Sequence, residues 1–117
     1  MSLRDPIVVL EDMLEAVQSI EEYSTNLSFD VYDADKKTKD AVVRNFEILG
    51  EAATHITDEV RVRFPDIPWN RVIGLRNIII HRYFGVDHAM VWFIIKEQLP
   101  SLKTHIEAAL HELSPDS

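Results

Sequence analysis

An all-α fold is what this 117-residue sequence predicts, on three observations. Apolar residues recur at spacings of three and four along every long segment, the period of a helix with one buried stripe. Only 3 glycines and 5 prolines interrupt the chain. No stretch alternates apolar and polar residues for the length a strand needs. The expected architecture is an antiparallel four-helix bundle with a short extra helix. A chain of 117 residues has room for one core, hence one domain over 1–117, with 1–4 and 114–117 as frayed ends.

The first helix starts at Asp5-Pro6, an N-cap carboxylate followed by a proline whose fixed φ suits the first turn. Ile7, Leu10, Leu14 and Val17 form its apolar stripe, which runs to about Tyr23. The polar, mixed stretch from Thr25 to Tyr32 reads as a connection. A second helix follows from near Asp33. Its seam, Val42, Phe46, Leu49, Ala53 and Ile56, alternates four and three and favours long packing against another helix. Gly50 within it costs about 1 kcal/mol against alanine, a cost that close helix approach offsets. Glu59 to Phe64 reads as a short helix stopped by Pro65-Asp66-Ile67-Pro68. A third long helix is expected from Trp69 to Gly85, where a left-handed glycine would end it. Asp87 caps the last helix. Its stripe, Val91, Ile95, Leu102, Ile106, Ala109 and Leu113, crosses Pro100, which should kink or restart it.

Composition narrows the function classes. The absence of cysteine excludes disulfides, thiolate catalysis and cysteine-based zinc sites. The run Ile7-Val8-Val9-Leu10 is too short to span a bilayer, so the expected location is the cytoplasm. A formal net charge of -8 argues against coating nucleic acid through a broad basic face. The segment from Arg61 to Tyr83 is the exception, with five arginines against Asp66 alone, a local charge of +4. His55, His88, His105 and His111 lack the H-E-x-x-H pattern, and Asp30, Asp33 and Asp35 lack the calcium-loop glycine and glutamate, so no metal or other cofactor is expected.

The densest chemistry lies in Arg76-Asn77-Ile78-Ile79-Ile80-His81-Arg82-Tyr83, closed by Gly85 and Asp87. A guanidinium grips phosphate oxygens and an imidazole moves protons near neutral pH, so the cluster reads as a phosphodiester site. On one continuous helix Arg76 and Tyr83 share a face. His81 is then about 140° from Arg76, so His81 must sit where the helix is ending, or two copies of the chain must complete the site. The structural alternative is an Arg76 paired with a buried carboxylate and an interior His81. On the second helix, Arg44, Glu47 and Glu51 form one polar line, read first as an ion-pair row. The functional alternative has one of these carboxylates orienting Arg76 or His81. Trp69 and Trp92 are expected in the core.

Several stretches, in order, resemble the HepT-like family, toxins of the HEPN superfamily. They are Arg44-Asn45 through Gly50-Glu51-Ala52, Ile67-Pro68-Trp69, Ile73-Gly74-Leu75-Arg76-Asn77, His81-Arg82-Tyr83-Phe84-Gly85-Val86-Asp87 and Val91-Trp92. The resemblance implies a homodimeric helical bundle and a metal-independent endoribonuclease with Arg76 and His81 as catalytic residues. It places Asn77 and Tyr83 at positions for substrate binding or modification. It also implies a cognate antitoxin of nucleotidyltransferase fold, which in some systems transfers adenylate to the motif tyrosine. Arg82 stands where many relatives carry a small residue. A non-catalytic module that binds nucleotide or a partner is the alternative from a different class.

Overall fold

Helix α1 spans Pro6–Ser24, and its start is set as the sequence predicts: the Asp5 side chain accepts the Ile7 N–H at 2.8 Å. The computed structural model describes residues 5–81 and 83–114. The outermost residues of both expected frayed ends, 1–4 and 115–117, lie outside the described residues, as does Arg82. The remaining helices are α2 (Phe29–Ala34), α3 (Lys36–Ala53), α4 (Asp58–Arg63), α5 (Trp69–Ile73), α6 (Leu75–Ile79), α7 (His88–Phe93) and α8 (Leu99–Leu113). The fold is all-α apart from a hairpin of two-residue strands, β1 (Ile80–His81) and β2 (Gly85–Val86).

The core follows the predicted stripes. Leu10, Met13 and Val17 of α1 meet Val42, Phe46 and Leu49 of α3, and Ile106 and Ala109 of α8 close over them, all nearly inaccessible to solvent. Trp69 is buried, its indole N–H donating to the Phe64 carbonyl at 3.1 Å, and Trp92 is half-buried against Phe29 and Tyr32. Both tryptophans therefore serve packing, as expected.

Two local differences from the sequence reading have clear causes, and the break expected at Pro100 is present. The connection before α3 contains α2, capped by Ser28, because Tyr32 reaches the core from it and is fully buried. The third helix is split at Gly74 into α5 and α6 and stops at Ile79. Around Pro100, which has no N–H to give, the last helix restarts through a π-helical turn, Ile94–Gln98, where the Leu99 N–H reaches the Ile94 carbonyl.

At Gly50 the backbone of α5 packs closely on α3. A Cβ there would lie 3.0 Å from the Val72 carbonyl oxygen and 3.5 Å from that of Ile73. Both are backbone atoms of α5, so they cannot swing aside as a side chain would. Gly50→Ala should therefore lose more from overpacking, about 1–3 kcal/mol, than the roughly 1 kcal/mol alanine gains in helix propensity. A urea midpoint at or above that of the wild type would show that α5 can move away.

Candidate functional site

The site's geometry begins with the end of α6. Ile78, Ile79 and Ile80 are β-branched and resist continued helix, and Ile80 is extended at φ -106°, ψ 118°. The chain then turns back on itself. The Phe84 N–H donates to the His81 carbonyl at 3.1 Å, and Gly85 takes φ +76°, giving a three-residue hairpin loop followed by a left-handed glycine. The register pairs Ile80 with Val86 and His81 with Gly85. The Asp87 N–H donates to the Ile79 carbonyl at 2.6 Å, tying the far side of the hairpin to the last residue of α6.

This corrects the single long helix expected from Trp69 to Gly85. Arg76 and Asn77 stand on α6, His81 on β1 and Tyr83 in the loop, so Arg76 and Tyr83 do not share a helical face. Gly85 is left-handed as expected, but in a hairpin instead of a helix cap. Of the two geometries left open for His81, the structure has it just beyond the helix end.

Arg76 and Asn77 are exposed, and among the described residues neither side chain has a hydrogen-bond or ion-pair partner. Arg76 is thus not tied to a buried carboxylate. It lines an open groove of about 380 Å³ with Arg44, Glu47, Glu51 and Thr54 of the α3 side, floored by Gly50, Phe46 and Ile73. The ion-pair row predicted on α3 does not form: among the described residues Arg44 and Glu47 have no ion-pair partner, and Glu51 instead faces His55 at 3.6 Å. The structure therefore gathers Arg44, Glu47, Glu51 and Arg76 along one groove, and His81 lies outside that set.

His81 is not an interior histidine; its side chain is half exposed. Its Nε2 lies 3.1 Å from Asp87 Oδ2, while Asp87 Oδ1 accepts the Met90 N–H at 2.9 Å and caps α7. These contacts hold the Asp87 carboxyl below the ordinary value of 3.8, the Met90 N–H contributing most and His81 next. The carboxylate that faces His81 is thus Asp87, not one from α3. Sequence reasoning gave Asp87 only its capping role. The available signal was its position six residues after His81, across a turn with glycine at its far end.

Tyr83 and Phe84 form the hairpin tip, 82% and 89% exposed. Beside the hairpin, His88 Nδ1 meets the buried Tyr32 hydroxyl at 3.5 Å. Burial lowers the His88 pKa, with Lys39 adding to the shift, while burial raises that of Tyr32. No cluster of three or more His, Asp or Glu able to hold a metal is found among the described residues. No described helix is long and apolar enough to cross a membrane.

Known proteins are similar to this chain in sequence over most of its length. The family described as Ribonuclease HepT-like matches residues 13–109. A Methanocaldococcus jannaschii protein provisionally named an RNase is 39% identical over 107 residues, 92% of this chain and 98% of its own. A Thermococcus cleftensis protein provisionally named ribonuclease HepT is 43% identical over 98 residues, 84% of this chain and 89% of its own. A provisionally named RNase of Caldanaerobacter subterraneus is 30% identical over 110 residues, 94% and 98% of the two chains. No solved structure matches the chain. The chain belongs to the HepT-like ribonuclease family.

Asp87 carries a pH signature. Its folded pKa is depressed, so its stabilising contribution is complete above the ordinary carboxylate value of 3.8 and is lost as pH falls through the lower folded value. Asp87→Ala should melt below the wild type at pH 7, and the gap should close in strong acid. A gap in melting temperature that is the same at pH 7 and pH 2, by calorimetry, would refute this.

Proposed function

We propose that this chain is the toxin of a prokaryotic toxin–antitoxin pair, a cytoplasmic endoribonuclease that cleaves RNA without a metal and works as a homodimer. Family membership and the names of the relatives support RNA as the substrate. The observation that carries the residue assignment is the idle state of Arg76: a guanidinium on the exposed side of α6 that no group among the described residues pairs with. A fold gains little from an arginine in that position, whereas an anionic phosphate would occupy it.

In this reading His81 takes the proton of a ribose 2′-hydroxyl as the 2′-oxygen bonds to phosphorus. The bond from phosphorus to the 5′-oxygen breaks, and that oxygen takes a proton from a second imidazole, His81 of the other copy. The products are a 2′,3′-cyclic phosphate and a free 5′-hydroxyl. Arg76 meets the charge that builds on the phosphorane oxygens, Asn77 holds a phosphate oxygen, and Arg44 extends the cationic side of the groove. Glu47 and Glu51 limit where an anion settles within it. Arg82, beyond the described residues, adds a further cation by sequence alone.

The dimer is supported by apolar surface left uncovered near the site: Phe84 and Tyr83 at the hairpin tip, and Ile48 on α3 beside Arg44 and Glu47. The antitoxin of nucleotidyltransferase fold is supported by the family resemblance. The exposure of the Tyr83 phenol suits it to accept an adenylate that would place negative charge near the site. The net charge of -8 favours the rival reading, a catalytically inactive module that binds nucleotide or a partner.

Two measurements test this. RNA cleavage by the purified chain should persist in chelator and fall about 10²–10⁴-fold in His81→Ala, with a comparable loss in Arg76→Ala. Cleavage that needs added magnesium, or that survives loss of His81, would exclude the mechanism, and intact RNA in every assay would favour the binding module. Co-expression with a neighbouring nucleotidyltransferase should raise the mass of the wild type by an adenylate and leave Tyr83→Phe unchanged. A gain that persists in the phenylalanine variant would exclude Tyr83 as the acceptor.

A further inference from the structure

Among the described residues Asp87 is the one carboxylate in contact with the imidazole assigned to proton transfer, and its two oxygens have separate partners. Oδ1 is fixed by the Met90 N–H at 2.9 Å, and Oδ2 faces His81 Nε2 at 3.1 Å. Its backbone is held as well, by the 2.6 Å bond from its N–H to Ile79, the last residue of the helix that carries Arg76 and Asn77. The carboxylate is therefore anchored to α7 through its side chain and to α6 through its backbone. His81 is anchored to the same frame by its strand pairing with Gly85.

We propose that Asp87 is a positioning residue for His81, fixing which imidazole nitrogen reacts and where it points; this rests on the nuclease reading above. An ionised carboxylate can only accept, so the nitrogen that faces it bears the proton. That leaves Nδ1 of the neutral ring as the free lone pair, and among the described residues Nδ1 has no partner. When Nδ1 takes a proton, the imidazolium that forms already has a carboxylate against its other N–H. Among the described residues no second hydrogen-bond or ion-pair partner of the His81 ring is found. The neighbouring His88 turns to Tyr32, and the charged groups around it from α2, α3 and the turn between them are Asp33, Lys39 and Asp40. The cap on α7 and the orientation of the base are thus one carboxylate, which makes the helix start and the reactive nitrogen a single geometric unit.

The pair can be read without activity. The Asp87 carboxyl, titrated by carbon-13 NMR in the full chain, should show a higher midpoint in His81→Ala than in the wild type, because the second-largest of the contacts that depress it is gone. Kinetics supply the other arm. Asp87→Ser keeps an N-cap oxygen for α7 but cannot reach His81, so kcat should fall about 10²-fold with KM little changed. Asp87→Asn, which keeps both the cap and an oxygen facing the ring, should recover part of that loss. An unchanged carboxyl midpoint, or an Asp87→Ser enzyme with wild-type kcat, overturns the proposal. A wild type that leaves RNA intact overturns the nuclease reading instead, and the carboxyl midpoint then still reports whether the pair forms.

Discussion

The early stop of α6 at Ile79 is the constraint on which the functional end of the molecule depends. Were the helix to continue, Arg76 and Tyr83 would share a face and His81 would point about 140° away from Arg76. Three β-branched isoleucines weaken the helix at this point without deciding its end; where the chain leaves it, the freed Ile79 carbonyl needs a donor. The Asp87 N–H supplies it at 2.6 Å, which is possible only because Gly85 at φ +76° turns the chain back within a few residues. One backbone bond thus closes the hairpin, sets His81 against Asp87 and starts α7.

The second constraint is the close approach of α5 to α3 over Gly50. A side chain there would push α5 away. The start of α6 follows α5 at Gly74, so that shift would carry Arg76 with it. The same glycine floors the groove shared by Arg44, Glu47, Glu51 and Arg76. Packing and site are coupled here through backbone distance alone, which explains why an unfavourable helix residue stands in the middle of the most regular seam of the chain.

What the sequence revealed and what it hid divide along the range of the interactions. Asp5 at the start of α1, α4 between Asp58 and Arg63, and the restart at Pro100 depend on neighbours within a turn, and each was legible. The apolar stripes were legible too, because burial of one helix face imposes a period that survives in the residues. The helix α2 was missed because six residues carry too little periodicity, although Ser28 with Phe29 and Tyr32 behind it was a usable start signal. The hairpin was missed because Ile78-Ile79-Ile80 is equally apolar in either conformation, and only the contact with Asp87 decides between them. The row on α3 failed for a different reason: spacing permits Arg44 to pair with Glu47, but long side chains at an exposed surface gain too little to be held.

Charge is the remaining tension, and distance resolves it. The chain is acidic overall at -8, and RNA is a polyanion, so contact across the general surface is repulsive. At physiological ionic strength, however, exposed charges more than about 8 Å apart are largely screened. A bound phosphate would therefore respond mainly to what lies within a few ångströms, which in the groove is Arg44 and Arg76 with Glu47 and Glu51. On the proposed reading, such a surface holds RNA only where the cations are and releases it elsewhere. That would suit an enzyme that must cut and let go better than one that coats its substrate. The acidic balance and the local arginines are then not opposing signals about function, because they act at different distances.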